Sequence, residues 1–270
     1  MTGGRRYTDI IRASQRFDAS SHIPFCIAGH HIGWLRKAHA QRLMAWPDVF
    51  RRDNDGVHIK ETLQTVDVRS GAVDAVIHAL YAKGEITGWR NERYAVVTAF
   101  EAEPLMTVER AAARYFGITT YAAHANGYCG EGVDGVMWIA RRAATKPIDP
   151  GKLDNLVGGG MCAGVAPLDT IVREAWEEAG IAADIARRAV ATGTVRLLRE
   201  VPEGVQSEVI FVHDLEVPRD FEPHNQDGEV AEFMCVKITA LADMLNEGAE
   251  FTLDASLVIR MFLDRGRDIG

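Results

Sequence analysis

The segment from Pro167 to Gly180 constrains the fold of this chain more than any other stretch. Proline is favoured at the first position of a helix, and glycine is favoured just beyond its last residue. Between these two residues, apolar side chains recur at the spacing of one helix face, at Leu168, Ile171, Val172, Ala175 and Ala179. The pattern predicts an amphipathic helix over residues 167–179 that packs one face against a core.

The polar side of this predicted helix concentrates acidic residues. At ~100° per residue, Glu174, Glu177 and Glu178 share an arc that is separate from the apolar stripe. Carboxylates three and four residues apart repel one another unless a positive charge lies between them. A hard divalent cation such as Mg²⁺, which prefers oxygen ligands, satisfies that need.

Three consecutive glycines, Gly158, Gly159 and Gly160, precede the helix. We expect them to form a tight turn into the helix and to let a ligand approach the main chain closely. An acidic helix taken alone is more often a solvated charged face. A glycine-rich loop beside such a helix favours metal-assisted chemistry on phosphate groups instead.

These residues also follow a long fixed spacing: Gly159, five residues, Val165, seven residues, and then REAWEEAGI from Arg173 to Ile181. The spacing resembles the Nudix box at every specified position except one, because a valine stands at 165 where the box has a glutamate. The resemblance implies a pyrophosphohydrolase that uses Mg²⁺ or Mn²⁺ and takes a small-molecule diphosphate as its substrate.

The resemblance also implies roles by position. Glu177 and Glu178 would be metal ligands, Glu174 a further ligand or a base, and Arg173 the residue that orients the loop. In Nudix proteins the first glutamate of the box commonly pairs with that arginine. With a valine in its place, Asp169, four residues before Arg173 on the same helix, is the alternative partner.

A second resemblance covers most of the chain. It rests on the segments GWRNERYAV (88–96), HANGY (124–128), WIARRAATK (138–146), LDNLVGGG (153–160), EVIFVHDLEVP (208–218) and NQDGEVAEF (225–233). These look like a Nudix subfamily that has its own N-terminal domain and is fused in some members to thiamine pyrophosphokinase. The resemblance implies removal of a phosphate from thiamine diphosphate or its oxidised, damaged analogues, which gives the monophosphate. A hydrophobic residue at the Val165 position is also typical of that subfamily.

Candidate substrate-binding residues lie at several further places, namely at His124, Asn126, Arg141, Arg142, Gly159 and Gly160. His124 and Asn126 alternate onto one face of a predicted strand. Arg141 and Arg142 are adjacent in another strand, so at most one of them points into the site. Glu229 occupies the loop or strand where Nudix enzymes often place a final carboxylate, as metal ligand or general base.

Periodicity divides the chain into two parts near residue 117. We expect an α+β accessory domain over residues 1–117 and a Nudix α/β/α sandwich with a mixed sheet over residues 118–270. The first part has predicted helices over residues 7–17, 35–46, 73–82 and 108–116, and extended segments over residues 56–66 and 90–100. The second has predicted strands over residues 118–129, 136–142, 189–198 and 209–215, the first two joined by the turn GEGVDG, and closing helices over residues 239–246 and 253–264. The segment LDNLV is a poor candidate for a buried strand.

Composition excludes several classes of protein. With 47% hydrophobic and 25% charged residues, the chain is of the globular rather than the disordered kind. Its 38 acidic residues against 30 lysines and arginines argue against nucleic acid as a partner, and its apolar runs are too short to span a membrane. Four cysteines without Cys-x-x-Cys spacing, and no apolar leader, predict a cytoplasmic protein. The oligomeric state stays open, with a homodimer as one alternative.

Three alternatives to a thiamine-type substrate remain open. The same box serves other diphosphates, such as ADP-ribose or a dinucleotide. Gly158, Gly160 and Ala163 before a helix also fit a dinucleotide-binding fingerprint, but that fold gives no reason for three glutamates on one helix face. A non-catalytic protein that kept the fold is the third alternative, and its support is Val165.

Overall fold

The computed structural model describes residues 3–130, 135–247 and 250–267, which form a mixed α/β protein. Its helices are α1 (Gly3–Ser14), α2 (Lys37–Leu43), α3 (Val66–Ala82), α4 (Ala113–Phe116), α5 (Pro167–Ala179), α6 (Ala183–Ala186), α7 (Ile238–Glu247) and α8 (Leu253–Arg267). Its strands are β1 (His22–Ile27), β2 (His30–Arg36), β3 (Phe50–Arg52), β4 (Val57–Ile59), β5 (Arg93–Val96), β6 (Met106–Glu109), β7 (Thr119–Cys129), β8 (Val136–Arg142), β9 (Leu153–Asn155), β10 (Val157–Gly160), β11 (Val190–Val201), β12 (Gly204–Glu216) and β13 (Val230–Lys237). None of the helices described has the length and apolar character needed to cross a bilayer.

The N-terminal part is a small α+β unit, as predicted. Its four-stranded sheet has the order β2-β1-β4-β3, and β5 pairs with β6 in a separate two-stranded ribbon. One core unites these elements around side chains that are fully buried, including Phe25, Leu35, Leu80, Met106 and Phe116. Aromatic contacts, such as the 5.1 Å between the ring centroids of Phe25 and Phe116, contribute to this packing.

The C-terminal part is an α/β/α sandwich around a seven-stranded mixed sheet. The main order is β11-β12-β7-β8-β13; β12 runs parallel to β7, whereas β9 and β10 pair antiparallel with β8 and β7. Helix α5 packs on one face, where Ala123 and Ala125 are buried. Helix α8 covers the other face, where Ala122, Ile210 and Val212 are buried. Alternate residues of β7 therefore face different layers.

The two parts interlock around Gly117. This glycine has a φ of +59° after α4, and a Cβ there would lie 2.2 Å from the carbonyl oxygen of Trp34, so only glycine fits. Helix α1 packs on α7, α8 and β11, and is thus attached to the C-terminal sandwich. Arg36 of β2 also donates a hydrogen bond of 2.8 Å to the carbonyl of Pro202.

Several predicted elements of the N-terminal part have different limits. The helix expected over residues 35–46 is strand β2 up to Arg36, because Leu35 pairs with Ile23 of β1, and helix only over residues 37–43. The helix expected from residue 73 begins at Val66, since the Thr65 hydroxyl accepts the Val68 N–H at 3.3 Å. The extended segments shrink to residues 57–59 and 93–96.

The helix predicted over residues 108–116 is wrong at its first two residues, and the segment is helical from Arg110 onwards. Met106–Glu109 is strand β6, which is paired with β5, and a 3-10 turn over Arg110–Ala112 precedes the single turn of α4. The buried Glu109 carboxylate accepts the N–H groups of Arg90 and Ala111, which fixes the strand end. Tertiary pairing thus overrides the local helical pattern.

In the C-terminal part the strand and helix predictions agree with the structure within a few residues, but LDNLV does contain a strand, β9. Strands β7 and β8 pair as predicted. The middle of the GEGVDG turn, residues 131–134, lies outside the described residues.

Candidate active site

Helix α5 has the limits that its sequence predicts. Pro167 is its first residue, and Gly180 ends it in the left-handed conformation with a φ of +66°. Ile171, Ala175 and Ala179 are fully buried against the sheet. This anchoring fixes the helix rotation and turns its acidic side towards strand β10.

The three glycines lie in strand β10, not in the expected turn. They pair with residues 122–124 of β7, and the turn into α5 follows after Gly160. A Cβ on Gly159 would lie 1.9 Å from Oε1 of Glu174, and a Cβ on Gly160 would lie 1.8 Å from the Tyr94 hydroxyl oxygen. Glycine is needed here because the acidic helix and the N-terminal unit both approach this strand closely.

Two of the three helix acids share Arg173. Its guanidinium contacts Oε1 of Glu174 at 2.6 Å and Oε2 of Glu177 at 3.0 Å. Glu178 instead accepts a 2.8 Å hydrogen bond from the Gly158 N–H. The three carboxylates are therefore neighbours, but they do not form one patch with a shared partner. Glu174 and Glu177 pair with Arg173, whereas Glu178 bonds to the backbone of β10.

Asp169 does not replace the missing box glutamate. It lies 3.3 Å from Arg187, and both side chains are largely exposed. Arg173, 44% exposed, points to the other side and is already paired twice. The expected Asp169–Arg173 pair is absent because the box arginine turns towards Glu174 and Glu177.

Burial gives the two inner carboxyls high proton affinity. Burial raises the pKa of Glu174 to about 7, against the lowering effect of Arg173. Burial also raises the pKa of Glu178, and the nearby Glu174 charge adds to that rise. Two buried like charges facing a glycine strand form a donor set that fits a hard divalent cation.

The pairing with Arg173 has a consequence for metal binding. Among the described residues, no three His, Cys, Asp or Glu side chains already meet around one ion position. Arg173 contacts one oxygen of Glu174 and one of Glu177, so an ion on this helix face would share these carboxylates with the guanidinium or displace it. Glu174, Glu177 and Glu178 remain the oxygen donors that β10 and α5 bring together.

Glu229 lies just before β13 and is held by cations from both parts of the chain. Its carboxylate contacts the Lys146 ammonium, and Arg90 of the N-terminal unit lies 3.8 Å away. Although burial opposes the shift, the hydrogen bond and charge of Lys146 lower the pKa of Glu229 overall. Glu229 and Glu178 both line one small cavity, and the Lys146 charge lowers the pKa of both carboxyls against the effect of burial.

A single cavity of about 460 Å³ joins these groups to the N-terminal unit. Its lining from α5 and β10 includes Arg173, Glu174, Glu177 and the three glycines. Its lining from the N-terminal unit includes Arg90, Glu92, Tyr94 and Arg110. Arg110 pairs with Glu92 at 2.9 Å and lies 5.8 Å from the centre of the Tyr94 ring.

Matches with known proteins agree with this arrangement. The NUDIX domain family model matches residues 129–255, and a family described as a domain of unknown function, DUF4743, matches residues 6–120. Over 245 residues the chain is 39% identical to Nudix hydrolase 24, chloroplastic, of Arabidopsis thaliana, an alignment covering 90% of this chain and 67% of that protein. The chain belongs to the Nudix hydrolase family.

Two further proteins are similar to this chain. Nudix hydrolase 20, chloroplastic, of Arabidopsis thaliana is 38% identical over 252 residues, covering 90% of this chain and 67% of that protein. A solved structure, DR0079 from Deinococcus radiodurans, aligns with a TM-score of 0.48 and 20% identity, covering 63% of this chain and 98% of that one. The family model and the two Arabidopsis thaliana relatives show that this Nudix hydrolase is an enzyme that cleaves phosphoric anhydrides. Nudix hydrolases generally use divalent metals such as Mg²⁺ or Mn²⁺.

The candidate substrate residues of this Nudix hydrolase separate into two groups. His124 and Arg142 line the cavity, and so do Gly159 and Gly160. Asn126 does not, because its fully buried amide donates 3.0 Å to Asp214 inside the sandwich. Arg141 is also absent from the lining and pairs with Glu232 at 3.0 Å. As expected for adjacent strand residues, one arginine of the two reaches the cavity, and Asp154 holds it at 2.8 Å.

The sequence did not single out the four residues from the N-terminal unit. Arg110 falls within the predicted helix over residues 108–116. Arg90, Glu92 and Tyr94 lie in a segment noted for its family resemblance and its extended pattern. No rule of residue spacing predicts that a β-ribbon will pack beside an acidic helix that is distant in sequence. A usable signal was Gly160, since a third glycine in a row implies close approach by something besides the helix.

Proposed function

We propose that this enzyme removes the terminal phosphate of thiamine diphosphate or its oxidised analogues, giving the monophosphate and phosphate. The proposal is supported by which parts of the sequence line the cavity. Each of the six segments that resemble the thiamine-diphosphate Nudix subfamily contributes at least one residue to it. These residues include Arg90, His124, Lys146, Asp154, Glu208 and Glu229, one from each segment.

Because all six segments line one cavity, they support a substrate shared with that subfamily more strongly than sequence resemblance alone does. Segments that are similar only because they form a common core would lie with their distinctive residues in the hydrophobic clusters. Here their polar residues surround one open volume, and pockets of this size between two parts of a chain are favoured small-molecule sites.

Three carboxylates are proposed to hold Mg²⁺ or Mn²⁺: Glu174, Glu177 and Glu178. Such an ion, when bound, would offset the charge of the diphosphate and make phosphorus more electrophilic. Arg173, released from Glu174 and Glu177 on loading, becomes available to phosphate oxygens, for which a guanidinium is well suited. Gly159 and Gly160 leave room for those oxygens beside the strand.

Glu229 is the proposed general base. Its lowered pKa keeps the carboxylate ionised near neutral pH, so that it can take a proton from the attacking water. Lys146 and Arg90 hold this carboxylate on two sides and act as positioning residues. The small cavity that Glu229 shares with Glu178 supports a position for this base near the proposed metal ligands.

The N-terminal unit is proposed to complete the substrate pocket. Taking the boundary at Gly117, residues up to 117 form the accessory domain, although α1 is attached to the C-terminal sandwich. Arg90, Tyr94 and Arg110 contribute cationic and aromatic surface to a cavity that α5 alone would leave open. We therefore assign the choice of organic group partly to this unit.

A substrate panel tests the proposal. Phosphate release is measured with thiamine diphosphate, an oxidised thiamine diphosphate, ADP-ribose and a dinucleotide, with and without Mg²⁺. We expect the highest kcat/KM with a thiamine-type diphosphate and loss of activity on chelation. A higher kcat/KM with ADP-ribose or the dinucleotide would overturn the thiamine assignment and leave a nucleotide-type Nudix hydrolase.

A further inference from the structure

One wall of the cavity consists of hydrogen-bond acceptors. It is formed by His124 of β7, Glu208 of β12 and Asp254 in the first turn of α8, and we call it the acceptor wall. It lies across β10 from the acidic helix, since a Cβ on Gly158 would meet the His124 ring whereas one on Gly159 would meet Glu174.

The acids of this wall differ from the other acids of the cavity. Glu92 and Asp154, for example, are paired with Arg110 and Arg142 at 2.9 and 2.8 Å. Within the described part of the chain, neither Glu208 nor Asp254 has a cation within ion-pair distance. The Arg199 side chain is also near Asp254, but its Nε donates to Gln206 at 2.8 Å.

Glu208 and Asp254 lack a direct ion-pair partner among the described residues, and more distant cations, Arg110 for Glu208 and Arg199 for Asp254, act on them. Glu208 accepts hydrogen bonds from Gln206 at 2.7 Å and Thr120 at 3.4 Å, both of which are neutral donors. Asp254 accepts none from the residues described. Burial, together with the nearby Glu208 charge, raises the pKa of Asp254 to about 7. Two adjacent, half-buried carboxylates without a direct ion-pair partner are costly unless a ligand supplies a cation.

His124 adds an acceptor nitrogen to the same wall. A chain of hydrogen bonds determines which of the two ring nitrogens carries the hydrogen. The Asp214 carboxylate accepts from Asn126 Nδ2 at 3.0 Å, and Asn126 Oδ1 accepts from Asn155 Nδ2 at 3.1 Å. Asn155 Oδ1, 3.0 Å from His124 Nδ1, must then accept, so Nδ1 carries the hydrogen. In the neutral ring Nε2 is then an acceptor, and this ring is only 8% exposed and lines the cavity.

We infer that the acceptor wall binds the organic group of the substrate, and that this group is positively charged and donates hydrogen bonds. The inference rests on the proposed function, which places the diphosphate at the Glu174, Glu177 and Glu178 end of the same cavity. A neutral, donor-poor group would leave Glu208 and Asp254 desolvated and unpaired. A cationic heterocycle bearing an amino group satisfies both carboxylates and Nε2.

The test compares two ligands that share a phosphate and differ in the organic group. Thiamine monophosphate is cationic and has an exocyclic amine, whereas thiochrome monophosphate is its uncharged, ring-closed relative without that amine. We expect tighter calorimetric binding of thiamine monophosphate to the full-length enzyme. Asp254→Asn and Glu208→Gln should each weaken its binding roughly tenfold or more, the usual loss for a hydrogen bond to a charged partner, and change thiochrome monophosphate less than about twofold.

Matched controls come from the same elements. Asp264→Asn lies on α8 and Glu216→Gln on β12; neither side chain lines the cavity, and both variants should leave the two affinities unchanged. Thermal unfolding identifies any variant that fails to fold. If one wall variant is unstable, the other still tests the inference, since each acid is expected to show the effect alone.

The outcomes separate this inference from the proposed function. Equal affinity of the wild-type enzyme for the two ligands, or equal losses for both ligands in the wall variants, would overturn the acceptor wall even where thiamine diphosphate is hydrolysed. A cation preference that depends on Glu208 and Asp254 would support the wall even where phosphate release from thiamine diphosphate fails.

Discussion

The two sides of the cavity near β10 are built in different ways. On the α5 side, Arg173, Glu174 and Glu177 pair with one another within a single turn of one helix. On the N-terminal side, Arg110 pairs with Glu92 across the β5–β6 ribbon, and Arg90 reaches Glu229 near the far end of the chain. Chemistry placed on one helix depends on spacing, whereas chemistry placed on a ribbon depends on which strands pair. The α5 side is therefore suited to reaction steps common to the family, and the N-terminal side to choice of substrate.

The largest effect should come from the α5 side. Replacing Glu178 by Gln keeps an oxygen that can accept the Gly158 N–H, so the fold should survive, but it removes a proposed metal-binding charge. Losing one electrostatic stabiliser of a transition state costs ~10²–10³ in rate, and we expect that loss in kcat. Glu177→Gln should act in the same direction. Phosphate release at saturating Mg²⁺ measures both.

The control for these variants is Glu216→Gln, an acid of β12 that does not line the cavity. It should retain wild-type kcat. If Glu177→Gln and Glu178→Gln both retained more than half of wild-type activity, these carboxylates could not be metal ligands, and the contrast between the two sides would fail.

A second variant tests the close approach between strand β10 and helix α5. Gly159→Ala puts a methyl group 1.9 Å from Oε1 of Glu174, which forces the carboxylate or the strand to move. Displacement of a reacting group by about 1 Å can cost ~10²-fold in rate, and we expect kcat to fall by about that much.

Gly71→Ala is the matched control for that variant. Gly71 lies in α3 with open space where the methyl group of an alanine would lie, so alanine should be neutral or stabilise the helix by up to ~1 kcal/mol. Similar kcat values for Gly159→Ala and the wild-type enzyme would show that β10 and α5 can separate without cost, and that the glycine is not required.

The third variant probes the N-terminal side. Arg110→Gln removes a cavity cation whose ion-pair partner is Glu92 and not an acid of α5. If this side chooses the substrate, KM for thiamine diphosphate should rise about tenfold, as for loss of one charge-assisted hydrogen bond, with a smaller change in kcat. Steady-state kinetics separate the two constants. Arg187→Gln, an exposed arginine paired with Asp169, should change neither; a fall in kcat alone for Arg110→Gln would place this residue among the catalytic groups instead.

Sequence reasoning succeeded where local rules determine structure. The limits of α5 follow from Pro167 and Gly180, and its rotation follows from buried residues such as Ile171 and Ala175. It failed at the start of the helix predicted over residues 108–116, where pairing of Val108 with Tyr94 makes a strand that ends at Glu109. The register of that ribbon, which brings Tyr94 and Arg110 to the cavity, depends on contacts far apart in sequence.

The contrast between local rules and contacts far apart in sequence also explains why some predicted substrate residues do not line the cavity. His124 and Asn126 share a strand face as expected, but that face changes along β7 from cavity to packed interior. The alternation of side chains along a strand predicts which side of the sheet each residue faces. It does not predict where along the strand a helix begins to cover that side. The start of α8 at Leu253 decides that point, more than a hundred residues later in the chain.

The smallest effect should come from restoring the missing box residue, Val165→Glu. In the structure Arg173 already binds Glu174 and Glu177, so a new carboxylate at 165 would compete for a guanidinium that is twice paired. Val165 is partly buried in the turn between β10 and α5, where an unpaired charge would be costly. We therefore expect kcat to change less than about threefold and the melting temperature to stay equal or fall by a few degrees, as for a loss of about 1 kcal/mol. Kinetics and thermal unfolding of the same preparation check both. A large gain in kcat would mean that Arg173 is poorly oriented in the natural enzyme, and that the α5 side depends on a partner which spacing within the helix does not provide.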